Sequence, residues 1–318
     1  MPRETPALVA VALNPSWDRT LEVPNFEIGK HQRGRLLSVQ AAGKAVNVAR
    51  LLDALGSPSV LTGFVGESDR DRFAATFEKT RVRVEMFETS GPTRENITLV
   101  DTERKVDTHV RDLGFTVTDE DIARITRKLR ILSGKGAYVL LTGSLPPGMD
   151  AEAFAGLIDV CARKGARVAV DSSGAALGAI PLAKDLWLAK PNREELATIA
   201  GRPVDSEEAI REAAEALRPG LDEVVVTLGA DGAMVFAREG TWIARPSLDP
   251  TAVINTVGSG DALLAGYVHR HAAGENPEAC LRYGVACGTA ATLQIRAGQI
   301  NTHDVQAALE KVQVESLT

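Results

Sequence analysis

The sequence predicts an α/β fold with a mainly parallel sheet covered by helices on both faces. Three features point to it. Short continuous apolar runs, typical of strands buried on both faces, alternate with longer segments of helical periodicity. Loops of unusual composition follow several of those runs directly, at the strand ends where such sheets bind ligands. Two stretches instead alternate polar and apolar residues, like strands with one solvated face, and suggest a small second sheet.

In chain order, Ala7 to Leu13 is the first buried strand. Lys44 to Leu55 is a helix, with Val48, Leu52 and Leu55 on one face and Gly56 as its stop. Val60 to Val65 is a strand and Ser68 to Lys79 a helix. Asp119 to Leu132 and Ala151 to Lys164 are helices, followed by the strands Ala137 to Leu141 and Arg167 to Val170 respectively. Leu186 to Ala189 is a buried strand, with a short helix over Glu194 to Ala200. The helix Ser206 to Leu217 leads into the strand Glu223 to Leu228, and two long helices, Gly260 to Ala273 and Pro277 to Leu293, close the chain. Thr20 to Gln40 and Asn96 to Asp112 form the accessory sheet, the second around a hairpin from Ile97 to Val110. The expectation is one domain over 1–318 with a β lid inserted at about 19–40 and 94–112. The lid would close over the strand ends or serve as a homodimer contact.

Composition excludes several classes. The chain has 318 residues, 44% hydrophobic and 25% charged, which suits a globular protein with a sizeable core. Its net charge of -6 argues against nucleic acid or an anionic membrane as the main partner. Cys161, Cys280 and Cys287 form no paired spacing, so reduced thiols are expected rather than disulfides or zinc. No basic-then-apolar leader begins the chain and no run reaches membrane-span length, so cytoplasm is the expected location.

The densest chemistry lies in Asn255-Thr256-Val257-Gly258-Ser259-Gly260-Asp261, directly before an apolar helix. Glycines there leave backbone N–H groups open to an anion, and a helix start adds partial positive charge. Asp261 adds a carboxylate able to take a proton from an attacking hydroxyl. Asp is also an ordinary residue in a first helical turn.

Other constellations carry similar alternatives. Gly43-Lys44-Ala45-Val46-Asn47 opens the first helix, where Lys44 and Asn47, one turn apart, could meet phosphate or sugar hydroxyls. Asp18 follows the first strand and could accept two hydroxyls, or simply serve a turn; Arg94 could bind phosphate through its planar fork, or be a solvated hairpin charge. Asn192 and Glu195 have the spacing of a water-mediated Mg²⁺ site and equally of a capping box. Thr227-Leu228-Gly229-Ala230-Asp231-Gly232 is a tight turn or a bed for a nucleotide. There is no P-loop, no protein-kinase signature set and no dinucleotide fingerprint after the first strand.

From Leu13 to about Leu293 these motifs occur in the order found in the ribokinase-like carbohydrate kinases, and the chain closely resembles their phosphofructokinase-B branch. The elements are LNPSWDRT, AAGKAVNVARLL, TRENITL, TGSLPPG, VDSSGAAL, KPNREEL, VVTLGADGA and NTVGSGDALLAG. The resemblance implies a three-layer α/β/α fold with a β lid. It implies Asp261 as catalytic base, with the backbone of Gly258, Ser259, Gly260 and Asp261 as the anion hole. Asn192 and Glu195 would organise Mg²⁺, and Thr227, Gly229, Gly232 and Thr256 would line the ATP side. Asp18, Gly43, Lys44 and Asn47 would hold the sugar; Arg94, Lys30 and Lys44 would hold a phosphate already on it, with Ser144 nearby.

Gly43-Lys44 together with Thr93-Arg94-Glu95-Asn96 makes the chain most similar to the 1-phosphofructokinases, with tagatose-6-phosphate kinases and minor 6-phosphofructokinases close behind. The resemblance thus implies ATP-dependent phosphorylation of a ketohexose phosphate, best fructose 1-phosphate to fructose 1,6-bisphosphate. The alternative from another class is a sugar-phosphate sensor without catalysis. Ala45 departs from the family's usual Gly, which bears on the choice of sugar.

Overall fold

The computed structural model describes residues 7–317; residues 1–6 and 318, part of the expected 1–318 unit, lie outside the described residues. Elements in the first half are β1 (Leu8–Ala12), β2 (Ser16–Glu22), β3 (Arg35–Ala42), α1 (Lys44–Ala54), β4 (Ser59–Gly66), α2 (Arg70–Ala75), β5 (Val82–Thr89), β6 (Arg94–Asp101), β7 (Val106–Val110), α3 (Asp119–Leu132), β8 (Tyr138–Thr142) and α4 (Ala151–Ala162). The second half contributes β9 (Arg167–Asp171), β10 (Leu186–Ala189), α5 (Arg193–Ala200), α6 (Glu207–Leu217), β11 (Leu221–Thr227), β12 (Ala233–Ala237), β13 (Gly240–Arg245), α7 (Ser259–Ala272), α8 (Pro277–Thr292), α9 (Thr302–Leu309) and β14 (Gln313–Ser316).

The large sheet has ten strands in the order β14-β13-β12-β11-β10-β9-β8-β1-β4-β5. From β5 to β11 it is parallel; β12, β13 and β14 return antiparallel. Strand alternation sorts its side chains into two cores. Val9, Val11, Val139, Leu141, Val168 and Val170 face α3 to α6, packing on Ile125, Leu129, Phe154 and Ile210. Their neighbours Leu8, Tyr138, Leu140 and Ala169 face α1, α7, α8 and α9. Because both faces are covered, the runs read as continuously apolar, which is why the sequence exposes them.

The mainly parallel sheet ends in an antiparallel edge, where the tight turn at Gly229–Gly232 returns the chain beside β11. Edge strand β5 went unread because its alternation is imperfect. The chain does not close on two helices: Asn301 caps α9, and β14 pairs with the polar edge of β13. The helix expected over 68–79 is confined to Arg70–Ala75, continuing as turns.

The small sheet runs β3-β2-β6-β7, and its first strand begins at Ser16 rather than Thr20. Ser16 lies opposite Ala42 on β3 and Arg94 on β6, and Asp18 opposite Asn96. This register brings Asp18, Arg94 and Gly43 to one end of the sheet, over the carboxyl end of β1.

Helix α7 is buried from Asp261 to Val268, and α8 approaches it through glycines. A Cβ on Gly266 would lie 2.7 Å from the Cys287 sulfur, and one on Gly284 would lie 2.8 Å from the Leu263 carbonyl. Cys287 therefore fills a notch between helices, where burial pushes its thiol up to about 12 and makes it inert. Gly266→Ala is expected to destabilise the chain by about 1–3 kcal/mol through overpacking. Combining it with Cys287→Ala should recover part of that loss in denaturant unfolding; strict additivity would show that the sulfur is not the obstacle.

Candidate active site

The carboxyl ends of β1, β8, β9, β10 and β11 open into a cavity of about 420 Å³ roofed by the small sheet. Beside it lies a more apolar cleft of about 280 Å³. Thr227, Ser259 and Gly260 line both, so the two spaces meet at the start of α7.

Helix caps mark the same place. Among the described helices of eight residues or more, α3, α4, α5, α6, α8 and α9 begin with a side chain bonded to the first-turn backbone. Helices α1 and α7 do not; they begin on Gly43 and Gly258, at φ 117° and 84°. Both starts line the cavity. The Ser259 N–H donates to the Thr256 carbonyl at 3.3 Å; the other first-turn N–H groups have no carbonyl within the helix to accept them and lie at the positive end of the helix dipole beside the cavity. Asn255 pins the loop before α7, accepting from the Val257 N–H at 2.9 Å and donating to the Ile295 carbonyl at 3.0 Å.

Asp261 stands in that first turn, 5% exposed, and accepts a hydrogen bond from Asn47 Nδ2 at 2.8 Å. Burial pushes its carboxyl up to about 7, aided by the charge of Asp171 and opposed by the Asn47 bond and by Lys44 and Lys190. A carboxyl near neutrality suits proton transfer at physiological pH.

Asp171, 1% exposed at the end of β9, is the electrostatic hub. Its two oxygens meet Lys44 Nζ at 2.7 Å and Lys190 Nζ at 3.0 Å. The strand register explains Lys190: Ala189 pairs with Val170, so the next residue of each chain falls side by side. Burial works to raise Asp171, but the two ammonium groups outweigh it and hold the carboxyl below its usual range. Burial likewise works to lower Lys44, but Asp171, backed by Glu195 and Asp261, raises it.

Of the expected site residues, Asp18, Gly43, Lys44, Asn47, Arg94, Ser144, Asn192, Glu195, Thr227, Gly258, Ser259, Gly260 and Asp261 all line the cavity. Thr227, Gly229, Gly232 and Thr256 line the neighbouring cleft. Gly232, at φ 95°, has no room for a Cβ, which would fall 1.9 Å from the Ala244 carbonyl oxygen. Asp18 accepts from Ser16 and Asn96 at 2.8 and 2.9 Å. Arg94 spends its Nε and one terminal nitrogen on the Asn14 carbonyl and leaves the rest of its fork to the cavity. Asn192 and Glu195 form a reciprocal capping box, which leaves Glu195 Oε1 uncommitted to the cap. An isolated parallel bridge sets Asn192 beside Thr227.

Lys30 is the exception: it is exposed and does not line the cavity. It lies in the turn beyond Glu22, at the end of β2 opposite Ser16, a strand length of about 20 Å away. Arg111, just past β7, lines the cavity instead, as do Asp171 and Lys190. Asp171 and Lys190 were legible as the residues ending buried strands; Arg111 carried no signal of its own.

Comparison with known proteins decides the family. A model of the pfkB family of carbohydrate kinases matches residues 13–303. The chain belongs to that family. It is similar to the 1-phosphofructokinase of Vibrio cholerae, at 33% identity over 315 residues covering 98% of each chain. Among solved structures, phosphofructokinase-2 from Escherichia coli, in complex with potassium, superposes with a TM-score of 0.88 at 26% identity, covering 96% of this chain and 98% of that one. A possible 1-phosphofructokinase from Thermotoga maritima gives 0.86 at 26%, covering 98% and 100%. The ribokinase-like α/β/α fold and the kinase class expected from the sequence are thus borne out.

The raised Asp261 carboxyl has a consequence for stability. Between its ordinary value of 3.8 and about 7 the folded chain keeps a proton that the unfolded chain has shed, so stability falls as pH rises through that window. Asp261→Asn keeps an acceptor for Asn47 and removes the titration. Its melting temperature should exceed the parent's by a margin that widens from pH 5 to pH 8; a constant margin would show that the carboxyl is not raised.

Proposed function

We propose that this pfkB-family carbohydrate kinase transfers the γ-phosphoryl group of ATP to a ketohexose phosphate, best fructose 1-phosphate, giving fructose 1,6-bisphosphate. The observation that carries this is the buried Asp261 at the uncapped start of α7, where a polar cavity with four cationic side chains meets an apolar cleft. The cleft suits a nucleotide base, with Gly229 and Gly232 letting it lie on the backbone. The cavity suits the acceptor: Asp18 and Asn47 offer partners for hydroxyls, and Arg94 and Arg111 offer charge for a phosphate.

Asp261 takes the proton of the acceptor hydroxyl as its oxygen bonds to the γ-phosphorus and the bond to the β,γ-bridging oxygen breaks, leaving ADP. The N–H groups of Gly258 to Asp261 hold the charge spread over the transferring oxygens. Glu195 Oε1, left free by the cap, is a hard oxygen donor that fits Mg²⁺ arriving on the nucleotide through water. When bound, Mg²⁺ would neutralise phosphate charge. Asn192 orients Glu195 by capping.

Fructose 1-phosphate, fructose 6-phosphate and tagatose 6-phosphate, each with ATP and Mg²⁺, should be compared for ADP release. The largest kcat/KM is expected for fructose 1-phosphate, rising with pH and levelling above about 7 as Asp261 loses its proton. Asp261→Asn should lose turnover by about a thousandfold or more while still binding ATP. Binding of sugar phosphate with no ADP release would favour the sensor.

The lid supports a homodimer. Leu36 and Leu37 on β3 and every residue of β7, including Val106 and Val110, are exposed, as are Ile28 and Leu113 beside them. An apolar surface of this kind on a small sheet calls for a partner. Light scattering should give twice the 33.8 kDa chain mass, and Leu36→Glu with Val110→Glu should give the monomer; a parent that runs as a monomer overturns the dimer.

A further inference from the structure

Lys44 and Lys190 both act on Asp261, and the surroundings of Lys44 are unlike those of a residue waiting for a sugar's phosphate. It leaves the first turn of α1, and its ammonium stands 2.7 Å from Asp171 Oδ1 and 4.0 Å from Glu195 Oε1. Those two oxygens are the free corners of otherwise committed carboxylates. Asp171 Oδ2 faces Lys190, and Glu195 Oε2 accepts from the Asn192 N–H at 2.9 Å. A hard divalent ion would be drawn to the same gap, and an ammonium built into the chain is there in its place. Among the described residues no three acidic, histidine or cysteine side chains are arranged to hold a metal. Lys44 also acts electrostatically on Asp261, the group that takes the acceptor's proton. Arg94, by contrast, is fastened to the Asn14 and Pro15 carbonyls at the edge of the small sheet, with Arg111 also reaching the cavity from the end of that sheet. The cationic side chains therefore divide into two sets with different neighbours.

We propose that Lys44 is a catalytic residue of the phosphoryl-transfer point: a fixed cation that contacts the transferring group and fills the Asp171–Glu195 gap against a further divalent ion. The phosphate already on the acceptor is left to Arg94 and Arg111. This rests on the kinase reading above and reassigns Lys44 from the role its sequence context suggested. The physical gain is preorganisation. A tethered ammonium stabilises charge as it develops, without having to be recruited from solution at each turnover.

The decisive variant is Lys44→Met, which keeps the stem and removes the charge. Asp171 retains Lys190, so no buried carboxylate is left without a cation. Two readouts are needed. In steady-state assays with fructose 1-phosphate, kcat should fall about a hundredfold while KM for the sugar phosphate changes by less than about threefold. In nucleotide-free and sugar-free enzyme, Mn²⁺ titrated against its electron paramagnetic resonance signal should bind the variant at least about tenfold more tightly than the parent, because Asp171 Oδ1 and Glu195 Oε1 no longer face an ammonium group. Lys44→Gln serves the same measurements should the methionine variant fail to fold. A large rise in KM with kcat preserved would return Lys44 to the acceptor's phosphate. Unchanged Mn²⁺ affinity would overturn its place in the gap. The Mn²⁺ arm needs no substrate, so it judges Lys44 even if no sugar phosphate in the panel is turned over, an outcome that would instead count against the kinase substrate.

Discussion

Asp171 carries its charge where a solitary carboxylate would be neutral. Buried at the end of β9, it would take up a proton without the ammonium groups of Lys44 and Lys190. That retained charge reaches Asp261, whose carboxyl it helps to raise. The readiness of Asp261 for the proton transfer proposed above thus depends on a second carboxylate. It depends in turn on the parallel register that lays Lys190 beside Asp171, and on α1, which starts at Gly43 and brings Lys44 in from the other side. One ion triad therefore links the sheet, the first helix and the proton acceptor.

The second support is mechanical. A helix start left without a side-chain cap gives up a stabilising interaction of about 1 kcal/mol, and α7 makes up for it along its length. Its glycine-lined contact with α8 leaves no slack at Gly266, Gly284 or Gly288. Further along, the Tyr267 hydroxyl donates to Glu223 on β11 at 2.6 Å, and His271 lies 2.7 Å from the Tyr138 hydroxyl on β8. These bonds fasten the helix to two strands of the sheet it crosses. Burial pushes Glu223 up to about 7, so the carboxyl itself sits near neutrality inside the core. The open first turn is thus presented by a rigid body, and rigidity is what an anion hole requires.

How much of this was legible in the sequence depended on where the information lay. Strands buried on both faces are continuous apolar runs, and β1, β8, β9 and β10 could be read to within a residue or two. Gly258–Asp261 was legible as a glycine-rich helix start, a composition that suits an anion and equally an ordinary cap. Edge elements were harder: β5 and β14 are covered only in part, so polar residues break up their apolar runs. Charge pairing was hardest. Nothing local to Asp171 reveals that two lysines from distant segments share it, because Lys44 is separated from it by 127 residues of chain. Lys30 illustrates the converse, a lysine of plausible chemistry set by strand register at the wrong end of its sheet.

The choice between catalysis and mere binding turns on the cost of Asp261. A protein that only senses a sugar phosphate could bind its hydroxyls with amides and neutral side chains, and would gain nothing from a buried carboxylate beside another. Here Asp261 lies in the field of Asp171 and loses stability as it ionises. It is held by Asn47 in the first turn of α7, whose Ser259 and Gly260 line both the polar cavity and the apolar cleft. Such local disadvantages persist where function requires them. A base must be unprotonated to act yet basic enough to take a proton, and a carboxyl near 7 meets both conditions at neutral pH. The same field that weakens the fold at Asp261 would therefore equip the residue for the phosphoryl transfer proposed above.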